Sequence, residues 1–325
     1  MKNWEFRVFL PALLLILLSL MSIYPLNIEN VTSWGYQLQG KGGKPIKIKD
    51  VIAYDVDLMV LDYSADGTKN HEFRPSEIAD VKASGKIVLA YMSIGEAEDY
   101  RFYWSWMPKN IIIEENPDWP GNYKVKYWEQ EWKNIIFGTT SGKKKSYLDR
   151  IIDQGFDGVY LDIIDAYEFV GPHEIGGNDM RRTAAEDMIT FVTQIADYAR
   201  TTRGKTEFLV VPQNAAYIWN EENFPDSPKP KRKSKKMKNL YFAYIDAIGV
   251  EDVFFCGNKD ENNSYKPDKW VINHLSKYLA AGKTILSVEY LIKKKKVKKY
   301  YKVARRKGYI PLATKRDLNG VFFKP

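Results

Sequence analysis

Seven acids in this 325-residue chain recur at one kind of position, at or just beyond the end of a short apolar run. Asp62 closes DLMVLDY, and Glu96 follows KIVLAYM. Asp162 closes GVYLD, with Asp165 three residues on. Glu251 and Asp252 end AIGVED, and Glu289 stands in TILSVEY. One acid in such a place ordinarily caps the next helix or pairs with a lysine. Seven on one rim would repel one another, so the crowding needs a use: a cationic ligand, a metal, or carboxylates that share protons.

Metal chemistry has little support. His71, His173 and His274 are scattered, and HEIGG at 173–177 lacks the second histidine of H-E-x-x-H. An oxygen-ligated Ca²⁺ site stays open, although no EF-hand spacing occurs. Nucleophilic serine is as weak, because MSIG at 92–95 is not G-x-S-x-G. Paired carboxylates for glycoside hydrolysis fit best. That reaction needs one ionised and one protonated acid beside the scissile bond, with rings and amides to grip sugar. Asp162 and Glu251 end the fourth and sixth apolar runs, close enough in order to face one cleft. The first run carries Trp34, Tyr36 and Gln37, and the fifth ends in Gln213 and Asn214. Such chemistry calls for no cofactor and no metal.

The runs that must position these residues number eight: 33–39, 57–63, 86–92, 158–162, 207–213, 247–252, 284–290 and 308–314. They are nearly continuous in Val, Ile and Leu, as parallel strands covered on both faces are. Helical patterns separate them, clearest at 76–85, 147–155, 183–204, 268–282 and 292–308. Each of these ends at a glycine (Gly85, Gly155, Gly204, Gly282, Gly308), where a left-handed helix terminus belongs. The alternation predicts an α/β fold, a (β/α)8 TIM barrel. An open doubly wound sheet is the runner-up, but no G-x-G-x-x-G follows the first strand. Two long connections, 93–146 and 214–245, follow strands and should lie over the C-terminal face, where chemistry sits in such barrels.

Composition bounds the rest. Lys2 and Arg7 precede an apolar stretch from Val8 to Tyr24, the pattern of a secretory signal. As a helix it would measure ~26 Å at ~1.5 Å per residue, so an uncleaved membrane anchor is the alternative. The expected organisation is a signal or anchor helix over 1–28 and one catalytic domain over 29–325, monomeric and exported. Cys256 is the only cysteine, which rules out a disulfide-stapled small fold. Two segments, 229–238 and 293–307, hold seven and ten Lys/Arg and no acid. They exceed the whole net charge of +8, so the remaining chain is acidic. Such runs bring nucleic acid to mind. The apolar leader argues for export instead, so no nucleic-acid partner is expected. Val297, Tyr300, Tyr301 and Ala304 are spaced as the buried face of a surface helix. Contact with anionic envelope polymers or lipids is the functional alternative for these runs.

Read together, SWGYQLQ, VLDYS, VLAYMSIGEAEDYR, GFDGVYLDIID, VVPQNA, GVEDVFF, SVEY and GYIPLATKRDL resemble glycoside hydrolase family 114, the endo-α-1,4-polygalactosaminidase-like barrels. The segments stand in family order through almost the whole chain after the leader. The resemblance implies a glycosidase that cuts an α-linked galactosamine-containing polymer. It implies Asp162 as nucleophile and Glu251 as acid/base, by similarity to retaining barrel glycosidases. Asp62, Glu96 and Glu289 would line subsites and attract ammonium groups. Tyr36, Tyr63, Tyr91 and Tyr160 would stack on or hydrogen-bond the sugar, and Asp165 would stand behind the pair or cap a helix. A basic loop at 229–238 near the mouth would repel such a polymer. A non-catalytic envelope protein that keeps the barrel and captures glycan is the competing reading.

Overall fold

A computed structural model describes residues 27–138, 144–172 and 180–325. The apolar leader and the HEIGG segment with His173 lie outside the described residues. Among the described residues, no helix is long and apolar enough to cross a membrane.

Eight parallel strands follow one another in chain order: β1 (Trp34–Gln37), β2 (Leu58–Leu61), β3 (Ile87–Ser93), β4 (Gly158–Asp162), β5 (Leu209–Pro212), β6 (Ala247–Glu251), β7 (Thr284–Tyr290) and β8 (Ile310–Thr314). They correspond to the eight apolar runs. β1 to β5 form one continuous parallel sheet, and β6, β7 and β8 form a second with a short antiparallel strand beyond β8. The two sheets meet at both edges. Between β5 and β6, the Asp246 N–H donates to the Val210 carbonyl at 3.0 Å and the Asn214 N–H to the Gly249 carbonyl at 2.8 Å. Between β8 and β1, the Trp34 indole donates to the Ile310 carbonyl at 3.0 Å. Every second strand residue points into the ring. Tyr36, Val60, Leu89, Tyr160, Val211, Ala247, Val288 and Leu312, one from each strand, pack in a single buried cluster. The alternate residues, such as Met59, Val88 and Val159, face outward into the larger core under the helices. This two-sided burial is why the strands read as unbroken apolar runs.

The main helices are α1 (Ile48–Ile52), α2 (Pro75–Ala83), α3 (Tyr147–Gln154), α4 (Ala184–Asp197), α5 (Pro230–Tyr244), α6 (Lys269–Ala280) and α7 (Lys294–Arg306). Their ends follow local chemistry. Ser146 caps α3 by accepting the Asp149 N–H, and Gly155 closes it at φ 89°, a conformation that costs glycine nothing. The four other expected glycines also carry positive φ. α7 buries Val297, Tyr300, Tyr301 and Ala304, the face expected from their spacing.

Acids before the strands tie the ring together. Asp157 accepts the Val88 N–H at 2.9 Å, and Asp246 accepts the Val210 N–H at 2.7 Å. Each joins its own strand to the one before it, so acids at the N-terminal face are spent on the framework.

The first long connection behaves as expected. It carries three short antiparallel strands, Glu96–Glu98, Asn122–Val125 and Ile112–Glu115, and a helix over Gln130–Ile136. The second does not. Nearly half of 214–245 is α5, which packs against α4 on the outside of the ring. Only Met237 and Tyr241 of α5 are buried, so the basic run 229–238 forms a largely solvated helix face and its N-terminal approach. It is not a loop over the cleft.

Candidate active site

The C-terminal ends of the strands open into a cleft of about 1420 Å³. Asp162 ends β4 and Glu251 ends β6, and both line this cleft. The chain turns sharply after each. Ile163 stands at φ 58° and Asp252 at φ 53°, and Asn214, beyond β5, stands at φ 61°. Left-handed backbone is costly for a β-branched residue such as Ile163, and strain of this kind gathers where a side chain must be aimed. Gly95 makes room for the first turn. A Cβ there would stand 2.2 Å from the Ile163 carbonyl oxygen.

The two carboxylates are held differently. Asp162 accepts the Tyr91 hydroxyl at 2.8 Å on Oδ2 and the Ile163 N–H at 2.8 Å on Oδ1. Glu251 Oε1 accepts the Gln213 and Asn214 side-chain amides, each at 3.1 Å. Its Oε2 accepts the Tyr290 hydroxyl at 2.5 Å and faces Arg316 Nη1 at 3.7 Å. Burial pushes Asp162 up to about 8, and the charges of Glu251 and Asp165 add to it. Asp165 is pushed up to about 7, first by burial and then by Glu168 and Glu251. Asp162 therefore holds a proton near neutrality, while four polar groups surround Glu251.

Other expected site residues divide into two groups. Tyr36, Asp62, Tyr91, Glu96, Asp165, Gln213 and Asn214 line the cleft with the pair. Tyr36 donates its hydroxyl to Gln213 Oε1 at 3.3 Å, so it also orients an amide that holds Glu251. Glu96 accepts the Asn116 amide at 2.9 Å, and its other oxygen has no partner among the described residues. Asp165 precedes the helix Ala166–Val170 but makes no side-chain cap, so its carboxyl stays with the cleft. Asp62 is at the cleft but committed. Arg101 Nη1 pairs with it at 2.7 Å while Arg101 Nε pairs with Glu98 at 2.6 Å, all three buried. Its charge is not free for an ammonium group, which corrects the expected role.

Trp34, Gln37, Tyr63, Tyr160 and Glu289 do not line the cleft. Trp34 and Tyr160 fill the ring interior below it, and the Tyr160 ring occupies the space a Cβ on Gly249 would need. Tyr63 packs edge-on against Phe102 and Tyr147 under the first long connection. Gln37 turns to the Gln39 carbonyl. Glu289 is fully buried and accepts the Phe254 and Phe255 N–H groups, at 2.5 and 3.3 Å. Burial pushes it up to about 8. It holds the segment after β6 instead of touching a ligand. His71 and His274 are far apart in use: His71 pairs with Asp66, and His274 contacts the Trp270 carbonyl and Asn220.

Sequence reasoning missed Arg316, Tyr290 and Arg101. Tyr290 had a signal, as the last residue of the seventh run. Trp119, in the first long connection, lines the cleft at 57% exposure, a flat ring open to a ligand. Among the described residues, acids outnumber Lys and Arg eleven to three along the cleft wall. Lys124 pairs with Glu114, Arg101 with Asp62 and Glu98, and Arg316 with Asp252, so the field in the cleft is negative. No residue of 229–238 or 293–307 lines it.

The chain is also similar to known proteins. The model of a family described as glycoside-hydrolase family GH114 matches residues 22–325. An uncharacterised protein of Thermotoga maritima is 38% identical over 298 residues, covering 88% of this chain and 81% of its own. An uncharacterised protein of Methanocaldococcus jannaschii is 36% identical over 313 residues, covering 90% and 81%. Among solved structures, Aspergillus fumigatus Ega3 in complex with galactosamine superposes with a TM-score of 0.63 at 16% identity, over 90% of this chain and 95% of that one. The glycoside hydrolase domain of PelA from Pseudomonas aeruginosa superposes with a TM-score of 0.60 at 15% identity, over 90% and 98%. At these identities the likeness is one of fold.

Proposed function

This chain belongs to glycoside hydrolase family 114 and is an endo-acting glycoside hydrolase, and we propose that it cleaves an α-linked, galactosamine-containing polymer with Asp162 and Glu251. The observation that carries the reading is the placement of these two carboxyls at the ends of β4 and β6, in one negatively charged cleft. At about 1420 Å³ the cleft exceeds the roughly 300–1,000 Å³ of small-ligand sites, as a polymer requires. Its negative field suits a chain of ammonium-bearing sugars. Ega3 was solved with galactosamine, which supports the same class of sugar.

Asp162 is the nucleophile and Glu251 the acid/base in a retaining reaction. Asp162 attacks the anomeric carbon while Glu251 gives its proton to the departing glycosidic oxygen. Glu251 then takes a proton from water, whose oxygen attacks the same carbon and releases Asp162. Burial holds the Asp162 carboxyl above its ordinary range. An amino sugar carries its ammonium beside the anomeric carbon, and that cation favours ionised Asp162, the form that attacks. The apolar stretch Val8–Tyr24 behind Lys2 and Arg7 supports export, as a signal or an anchor.

The test is digestion of α-1,4-linked polygalactosamine, free and partly acetylated, by residues 29–325. Products are read by mass spectrometry and the first-formed anomer by proton NMR. Internal cleavage with an α product is expected. Asp162→Asn and Glu251→Gln should each lower kcat by roughly a thousandfold or more. Near-normal turnover in either variant rules out this pair.

A further inference from the structure

Glu251 is surrounded by more than its amides. Arg316, on the loop after β8, reaches back to the end of β6. Its Nη2 pairs with Asp252 Oδ2 at 2.6 Å, and its Nη1 faces Glu251 Oε2 at 3.7 Å. The guanidinium lies over the Tyr290 ring, 3.5 Å from the centroid, and Nε donates to the Asp260 carbonyl at 3.4 Å. Tyr290 in turn donates to the same Glu251 oxygen. One planar cation is thus fixed from three sides, by a carboxylate, a ring and a carbonyl, with its remaining edge toward Glu251. Asp252 can hold it because the left-handed turn at Asp252 takes its side chain away from the cleft wall, which Glu251 keeps.

We propose that Arg316 and Asp252 form a positioning pair for Glu251: Asp252 anchors the guanidinium over Tyr290, and the guanidinium fixes the orientation and charge of the Glu251 carboxylate. The proposal rests on the role given to Glu251 above. A guanidinium suits this task where an ammonium would not, because its plane can stack on Tyr290 while its edge serves two carboxylates. Glu251 also faces Asp162 and Asp165 from β4 and its loop, and Tyr160, Tyr36 and Tyr290 from inside the ring. Among these groups Arg316 is the one cation, so its removal, and the release of its guanidinium when Asp252 is removed, act on Glu251 in the same direction.

That agreement is the test. The chain is labelled with ¹³Cδ-glutamate, and the resonance missing in Glu251→Gln identifies Glu251. Its midpoint is followed with pH in the native protein, Arg316→Gln, Arg316→Lys and Asp252→Asn. In Arg316→Gln it should move up by about one pH unit, as loss of a neighbouring cation dictates. In Asp252→Asn it should also move up, by less, because the guanidinium loses its anchor while one repelling anion goes with it. Arg316→Lys should stay nearer the native value. Kinetically, Arg316→Gln should lower kcat by roughly tenfold to a hundredfold with KM little changed. An unmoved midpoint in Arg316→Gln, or a fall in Asp252→Asn, overturns the proposal. If Arg316→Gln does not fold, an Asp252→Asn midpoint that stays or falls overturns it alone. Hydrolysis by Glu251→Gln is scored separately: turnover there ends the catalytic reading of Glu251, whatever the titrations show.

Discussion

The Tyr91 hydroxyl donates to Asp162 Oδ2 at 2.8 Å across the β3–β4 pair, where Tyr91 lies beside Tyr160 in the register. Tyr91 reaches forward from inside the ring to the last residue of the next strand, so the bond depends on both strand ends. A hydrogen bond to an ionised group contributes about 1.5–3 kcal/mol. It favours ionised Asp162, the form that attacks. Tyr91→Phe should therefore lower kcat by about tenfold to a hundredfold and leave KM nearly unchanged, measured in steady state on the galactosamine polymer. A rise in KM with intact kcat would place Tyr91 in binding instead.

The raised carboxyls set how stability depends on pH. Asp62 is pushed up to about 6, Asp165 to about 7, and Asp162 and Glu289 to about 8, in each case chiefly by burial. The folded chain therefore keeps protons that the unfolded chain releases near pH 4. This stability is complete below that pH and is lost as pH rises through about 6 to 8. The melting temperature should fall between about pH 5 and pH 8.5. Asp162→Asn and Glu289→Gln should each melt a few degrees above the native chain at pH 8.5, and level with it at pH 5. Calorimetry across this range checks the sign, and a native chain that gains stability toward pH 8.5 contradicts it.

The buried triad of Asp62, Arg101 and Glu98 supports a related expectation. Arg101 lies against the rings of Tyr63, Tyr100 and Tyr147 and bridges β2 to the first long connection. Removing it strands two buried carboxylates, a cost of about 3–5 kcal/mol. Arg101→Met should lower the melting temperature strongly, and Arg101→Lys by less, since one ammonium cannot reproduce the two-sided fork. If Arg101→Met melts with the native protein, the triad is not what secures Glu96–Glu98 to the ring.

Much of this was legible in the sequence because it is periodic. The eight strands are buried on both faces and so read as apolar runs, and Gly155 or Gly308 marks a helix end by conformation alone. Asp162 and Glu251 stood out because a charge closing an apolar run contrasts with its neighbours. Aromatic residues carried no such contrast. Trp34 and Tyr160 fill the ring interior while Tyr36 and Tyr91 line the cleft, and residue type is the same for both uses. Glu289 looked like Glu251, yet it accepts backbone N–H groups that only the folded segment after β6 presents. Arg316 and Arg101 lie on irregular segments, and the aspartates they hold, Asp252 and Asp62, are 64 and 39 residues away. The helix α5 was hidden because its first half buries nothing, leaving no period to read.

Trp119 offers the sharpest separation of binding from chemistry. Its ring stands more than half exposed in a protein that buries most of its large rings, and it lines the cleft on the connection after β3. The reacting pair lies on β4 and β6, so Trp119 belongs to the wall and not to the bond-breaking centre. A ring that stacks equally on bound substrate and transition state lowers KM without raising kcat. Trp119→Ala should raise KM for long polymer severalfold, keep kcat, and leave the melting temperature within about 1 °C, as exposed substitutions do. Short oligomers that do not reach Trp119 should be cleaved with native KM. If the variant lowers kcat on long and short substrates alike, the ring is part of the reacting centre, and the cleft must close further around the scissile bond than its open form indicates.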